Sequence, residues 1–144
     1  MTESTSAEIG IAAAATQVMG VIADIAAYPQ WTAFKKAEVL ESDPDGRPVL
    51  VEFAFDMGAF KDEQVMRYSW QGVEKAQWQM VKSNLLDSLT GSYTLFESEG
   101  KTRVVYELSM KLNMPLISAM RRRAEKMIID AALQGLKNRV ESFK

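Results

Sequence analysis

NMPLISAMRRRAEKMIIDAALQGLKNRVESF, residues 113–143, is the stretch on which the fold turns. It holds one proline, Pro115, near its start and one glycine, Gly135. Asn113 caps well and Pro115 is tolerated in a first turn, so one long helix is expected from Pro115 to about Ser142. At about 100° per residue, Ile117, Met120, Ala124, Met127, Ile128 and Ala131 fall on one arc. Ala132, Leu133, Leu136, Val140 and Phe143 fall on a second arc, rotated from the first. Arg121, Arg122, Glu125, Lys126 and Asp130 lie opposite the first arc. An apolar face that swings round as it advances suits a helix crossing a curved surface. The small residues Ala124, Ala131, Ala132 and Gly135 suit close approach to a sheet. A helix this apolar on one side does not stand alone in water, so the rest of the chain must supply its partner.

That partner is legible upstream. Ser6 to Ile11 alternates and is expected to be a strand. Ala12 to Ala26 is alanine-rich, with Val18, Met19, Val21, Ile22 and Ile25 interleaved, and is expected to be a helix ending near Asp24. Pro29, flanked by Tyr28 and Trp31, stops that helix and marks a short second helix or turn. From Phe34 to Leu112 the period changes to two, with turn signals about every dozen residues. The strands are Lys36–Ser42, Val49–Met57, Glu63–Trp70, Glu74–Val81, Asp87–Phe96 and Thr102–Leu112. Asp43-Pro44-Asp45-Gly46, Gly58-Ala59, Gln71-Gly72, Ser83-Asn84 and Glu99-Gly100 separate them. The order is β-α-α-β-β-β-β-β-β-α in a single domain spanning 1–144. This is an α+β architecture in which a curved antiparallel sheet of about seven strands wraps the long C-terminal helix.

Composition sets limits on chemistry. With 144 residues, 47% of them hydrophobic, one domain with a real core is expected. A net charge of −2 argues against nucleic acid as a partner. No apolar run reaches the ~18 residues of a membrane span, and no leader is visible at Met1–Ser6, so a cytoplasmic location is expected. The chain has no Cys and no His. That removes Ser-His-Asp triads, thiol nucleophiles, imidazole or thiolate metal sites and histidine acid-base chemistry. Neither a metal nor a cofactor is expected. The carboxylate pairs Asp43/Asp45 and Glu97/Glu99 sit in turns and are explained by turn chemistry.

Several stretches also match a known family. These are Ile22-Ala23-Asp24 with Tyr28-Pro29-Gln30-Trp31, Asp45-Gly46-Arg47-Pro48 and Phe60-Lys61-Asp62-Glu63. Arg67-Tyr68-Ser69-Trp70, Gly91-Ser92-Tyr93 and Arg121-Arg122-Arg123-Ala124-Glu125-Lys126 match as well. With the order of elements, they resemble the helix-grip fold of the START-like, or SRPBCC, superfamily. The likeness is to small bacterial members of the polyketide cyclase/dehydrase-like and coenzyme-Q-binding-like type. It covers nearly the whole chain and implies a fold. It carries over no catalytic set, because the superfamily places binders, carriers and enzymes on one scaffold.

A sheet gripping a helix leaves space where both are lined by large side chains. Strand parity puts Phe53, Phe55 and Met57 on that inner face, together with Met66, Tyr68 and Trp70. Trp78, Met80, Tyr106, Leu108 and Met110 join them, with Met120 and Met127 opposite on the helix. These are the candidate lining of a pocket for a hydrophobic small molecule, and the resemblance points the same way. Plain core packing explains the same stripes. Tyr68 and Tyr106 are the polar groups expected within it, while Arg67 falls on outward parity. Tyr28, Pro29 and Trp31 make either an entrance or an anchor for the helical pair. Arg121, Arg122, Arg123 and Lys126 are a solvated face or a contact for anionic lipid. Three functions follow: a carrier of a lipid, quinone or polyketide-like compound, a cyclase or dehydratase-type enzyme using the same space, and a protein-interaction module. No catalytic residue is assigned, and the oligomeric state is open.

Overall fold

The computed structural model of the chain describes residues 4–57, 60–113 and 118–143. Strand β1 (Thr5–Ile11) is followed by helix α1 (Ala15–Ala23) and a 3-10 helix (Ile25–Gln30). Six strands come next: β2 (Phe34–Ser42), β3 (Pro48–Met57), β4 (Phe60–Gln71), β5 (Lys75–Ser83), β6 (Leu86–Ser98) and β7 (Lys101–Leu112). Helix α2 (Ser118–Glu141) closes the chain. The strands form one antiparallel sheet in the order β1-β7-β6-β5-β4-β3-β2. Strands β2 to β7 follow one another as hairpins. The α1 and 3-10 pair carries the chain from one edge of the sheet to the other. The element order and the helix-grip arrangement are those expected from sequence. The expected Gly58-Ala59 turn and the Pro115 helix start lie outside the described residues.

Local chemistry accounts for the junctions. Asp43 Oδ1 accepts from the backbone N–H groups of Asp45 (3.0 Å) and Arg47 (2.9 Å), which holds the β2–β3 turn. Helix α1 has no capping side chain of its own, because Ala14 stands at the cap. Glu97 Oε1 supplies the acceptor instead, taking the Ala15 N–H at 2.6 Å. Pro29 does not end the second helical piece but sits inside the 3-10 helix, whose fixed φ it fits. Strand β2 pairs with β3 through several register shifts, between Phe34 and Lys36 and again from Val39 to Ser42.

Helix α2 is rotated from the sequence expectation. Its buried residues are Glu125, Ile129, Leu133, Leu136 and Val140, with Ala132 half-buried. All six fall within an arc of about 100°, so the buried face runs straight and does not swing. Most of the other arc faces away from the sheet, although Ala124 is half-buried against the core and Ile117 lies outside the described residues. Met120 is 51% exposed, Met127 is 61% exposed, and Ile128 and Ala131 are exposed as well. Phe143, assigned to the inner arc, is also exposed, with the Arg139 guanidinium over its ring.

The cause is Glu125. Its carboxylate is fully buried and accepts from Thr5 Oγ1 (2.6 Å) and from the Met110 backbone N–H (2.9 Å). Strand β1 begins at Thr5, opposite Leu108, so Met110 lies past its end. Glu125 thus takes the place of a strand partner there and ties the front of α2 to the sheet. Spacing of four residues would also allow a surface pair with Arg121, which the inward turn of Glu125 forgoes, whereas Lys126 and Asp130 at the same spacing do pair, at 3.0 Å.

Candidate ligand-binding site

Strand alternation places the large side chains. Cross-strand partners on the inner face run Val51–Met66–Met80, then Tyr68–Trp78–Gly91, then Tyr93–Tyr106. The rings form a continuous wall. Tyr28 stacks on Phe53 (6.1 Å between centroids), Phe53 meets Tyr68 (6.4 Å) and Tyr68 meets Trp78 (5.6 Å). Trp78 then meets Tyr93 (5.3 Å) and Tyr106 (5.4 Å). Such pairs contribute beyond the area they bury.

Gly91 makes the centre of this wall possible. A Cβ placed there would stand 2.4 Å from the Trp78 ring. The indole therefore lies flat where a side chain is missing. Gly91→Ala should force Trp78 off its seat and cost about 1–3 kcal/mol, the usual range for overpacking. A thermal melt and the tryptophan emission maximum read the two effects separately. An unchanged melt and spectrum would show that the ring does not lie over Gly91.

What the phenols add to this wall is their hydroxyls. Tyr106 keeps 6%, Tyr68 7% and Trp78 9% of their surface, much as the aliphatic core residues Leu95 and Leu89 do at 6% and 8%. Tyr28 donates its hydroxyl to the Ile22 carbonyl at 2.5 Å. Among the described residues, the fully buried side-chain atoms left without a hydrogen-bond partner are Trp31 Nε1 and Arg121 Nε; the hydroxyls of Tyr68, Tyr93 and Tyr106 are not among them. Burial pushes all four phenol pKa values up, and for Tyr28, Tyr68 and Tyr93 the neighbouring phenols push further. The four phenols therefore stay protonated at neutral pH. What the wall offers chemically is hydrogen-bond donation from among aromatic rings.

The other expected lining residues fall as follows. Met66, Met110, Phe53 and Leu108 are buried on the inner face, the last two almost completely. Phe55, Trp70 and Met80 are half-buried there. Trp70 stacks on Tyr68 at 5.5 Å and donates its indole N–H to the Pro48 carbonyl at 2.6 Å, so it closes the end of the sheet. The Met57 side chain lies outside the described residues. Met120 and Met127 were expected opposite the sheet and are instead on the outward side of α2. Arg67 is exposed and lines a cleft of about 360 Å³ on the outer face, among Ser69, Gln77, Gln79 and Thr90. Trp31 packs on α2. Its carbonyl oxygen would lie 3.1 Å from a Cβ at Gly135, which makes this glycine the seat of the 3-10 helix on α2.

Sequence reasoning missed four inner residues. Tyr93 was hidden in β6, whose two faces read alike. Asp62 and Gln64 follow from the parity of Met66 carried four and two residues back, a step masked by their polarity. Glu125 is the fourth. Burial works to raise the Asp62 pKa, but hydrogen bonds from Ser83, Gln64 and the Asn84 and Glu63 backbones outweigh it and leave the pKa lowered. The Ser83 hydroxyl (2.5 Å), Gln64 Nε2 (2.9 Å) and the Asn84 N–H (2.9 Å) all point at this carboxylate. Asp62 is an ionised clamp on the β5–β6 turn and a poor proton acceptor. No group of three acidic residues among the described residues is placed to hold a metal ion.

With this geometry in view, comparison with known proteins is informative. The family described as polyketide cyclase/dehydrase and lipid transport matches residues 11–137. The chain belongs to this family. Family membership agrees with the solved structures it resembles. A START superfamily protein from Mycobacterium smegmatis superposes with a TM-score of 0.92 at 17% identity, covering 98% of this chain and 99% of that one. The Zhui aromatase/cyclase from Streptomyces sp. R1128 gives 0.82 at 15% identity, over 98% and 94%. A protein from Thermus thermophilus, TTHA0849, gives 0.80 at 18% identity, over 99% of each. At these identities the likeness is one of fold. No curated protein matches the chain in sequence. Among the described residues no helix is long and apolar enough to cross a membrane.

Proposed function

We propose that the protein binds a hydrophobic small molecule between the inner face of the sheet and α2, and carries it without transforming it. The observation behind this reading is the aromatic wall itself, in which Tyr68, Tyr93 and Tyr106 sit among packed rings and each keep a few per cent of their surface. A phenol that keeps some surface within such a wall can donate its hydroxyl to a ligand oxygen. The family's description, which includes both cyclases and lipid transport, supports a hydrophobic guest. A flat oxygenated compound, quinone or polyketide-like, suits stacking on Trp78 and donation from the phenols. The aromatase/cyclase relative keeps an enzyme reading in view, with the phenols polarising a carbonyl. Against it stands the lack of a base. The phenols are held neutral, Asp62 is saturated with donors, and the chain has no histidine.

Tyr106→Phe should weaken binding by about 0.5–1.5 kcal/mol, the net worth of one hydrogen bond, and leave the fold intact. Quenching of tryptophan emission by a naphthoquinone and by an aromatic polyketide measures it, after native mass spectrometry of the purified protein. No saturable change with quinones, polyketides or fatty acids would remove the binder reading. A turnover that vanishes in Tyr106→Phe at unchanged affinity would replace it with the enzyme.

A further inference from the structure

Helix α2 carries a second apolar face that nothing in the described structure covers. Eight large hydrophobic residues are exposed among those described, and three of them, Met120, Met127 and Ile128, share one stripe of this helix. The exposed Ala131 and the half-buried Ala124 lie between them, and the five span an arc of about 100°. Arg121, half-buried with its Nε enclosed, flanks the stripe on one side and the exposed Arg123 flanks it on the other. Lys126 stands beyond Arg123, paired with Asp130. Asp130 is the one exposed carboxylate within residues 119–133, because Glu125 is turned inward and bonded to Thr5 and Met110. A chain of net charge −2 thus concentrates positive charge around its longest exposed apolar stripe.

We propose that this face of α2 docks on an anionic phospholipid surface, with Met120, Met127 and Ile128 entering the headgroup–acyl boundary and Arg121 and Arg123 meeting lipid phosphates. A helix with an apolar stripe between basic flanks lies in that plane. Other occupants fit less well. A second copy meeting this face about a two-fold axis brings the same arginines against each other, with only Asp130 to offset them. A peptide needs a groove, whereas this is the convex outer side of a helix. Methionine side chains adapt to a fluid, unshaped partner. The inference stands apart from the ligand site, since Met120, Met127 and Ile128 are exposed on the side of α2 away from the sheet.

Vesicle flotation tests it. The full chain is mixed with phosphatidylcholine vesicles, or with vesicles that also contain phosphatidylglycerol, at low salt and at ~0.5 M salt, where screening shortens to a few Å. Co-flotation is expected with the anionic vesicles at low salt alone. Arg123→Gln should lower the partition about fivefold, and Met120→Ser with Met127→Ser about tenfold or more. These side chains are exposed, so the melts should match wild type, and the wild-type salt series needs no variant. No flotation with anionic vesicles, equal flotation with neutral ones, or indifference to the methionine changes would each overturn the proposal. So would a dimer in light scattering that the methionine changes dissolve, which would assign the face to a second copy.

Discussion

Raising the pH above 10 should unfold this protein abruptly. The chain has four tyrosines, and all four are buried with pKa values pushed up from the ordinary 10. In the unfolded chain each phenol ionises near 10, while in the folded protein it stays protonated. The unfolded state then binds fewer protons, so stability falls as pH rises. It is fully present below about pH 10 and lost on the way to the folded values. The slope is about 1.4 kcal/mol per pH unit for each tyrosine, or about 5 kcal/mol per unit for four together. Against a typical domain stability of about 5–15 kcal/mol, the fold should be lost within one to three units. Phenolate absorbance and far-ultraviolet circular dichroism should change together in one transition. Tyrosines that ionise near pH 10 while the dichroism stays constant would show that the phenols are not enclosed.

The second large effect separates the two faces of α2. Leu136 is fully buried and Ala131 is exposed, although the sequence pattern gives both to the interior. Leu136→Asp should cost about 4 kcal/mol or more, because it removes a packed side chain and buries an unpaired charge. Ala131→Asp should stay within about 0.5 kcal/mol, apart from a small helix-propensity loss. Urea melts of the two proteins measure the contrast. Equal destabilisation would restore the swinging face and take the exposed stripe away from solvent.

The contrast also shows what the sequence carries and what it does not. Alternation from Phe34 to Leu112 was enough to set the strands, because a half-buried strand writes its facing in every second residue. The helix was legible as an element and misread as a surface. Its inner face begins with a carboxylate, and a glutamate reads as solvent-facing unless the backbone group that needs it is known. That need arises from Met110 lying beyond the end of β1, a fact of register between strands about a hundred residues apart in sequence. The same holds for Asp62, whose donors come from the β5–β6 turn. The aromatic wall was largely visible by parity.

The two rims of the sheet decide how copies of this molecule behave in a crowd. At the β1 rim, side chains from α2 reach the strand: Lys137 Nζ donates to the Gly10 carbonyl at 3.0 Å, Glu141 accepts from the Ala12 N–H at 3.1 Å, and Glu125 accepts from the Thr5 hydroxyl. At the β2 rim the register slips repeatedly, and Lys35, Lys36, Glu38 and Glu41 are exposed. Neither rim offers an incoming strand the even row of donors and acceptors that templates growth. The sheet is self-limiting, so concentrated protein should resist fibril formation and strand exchange for as long as α2 stays seated.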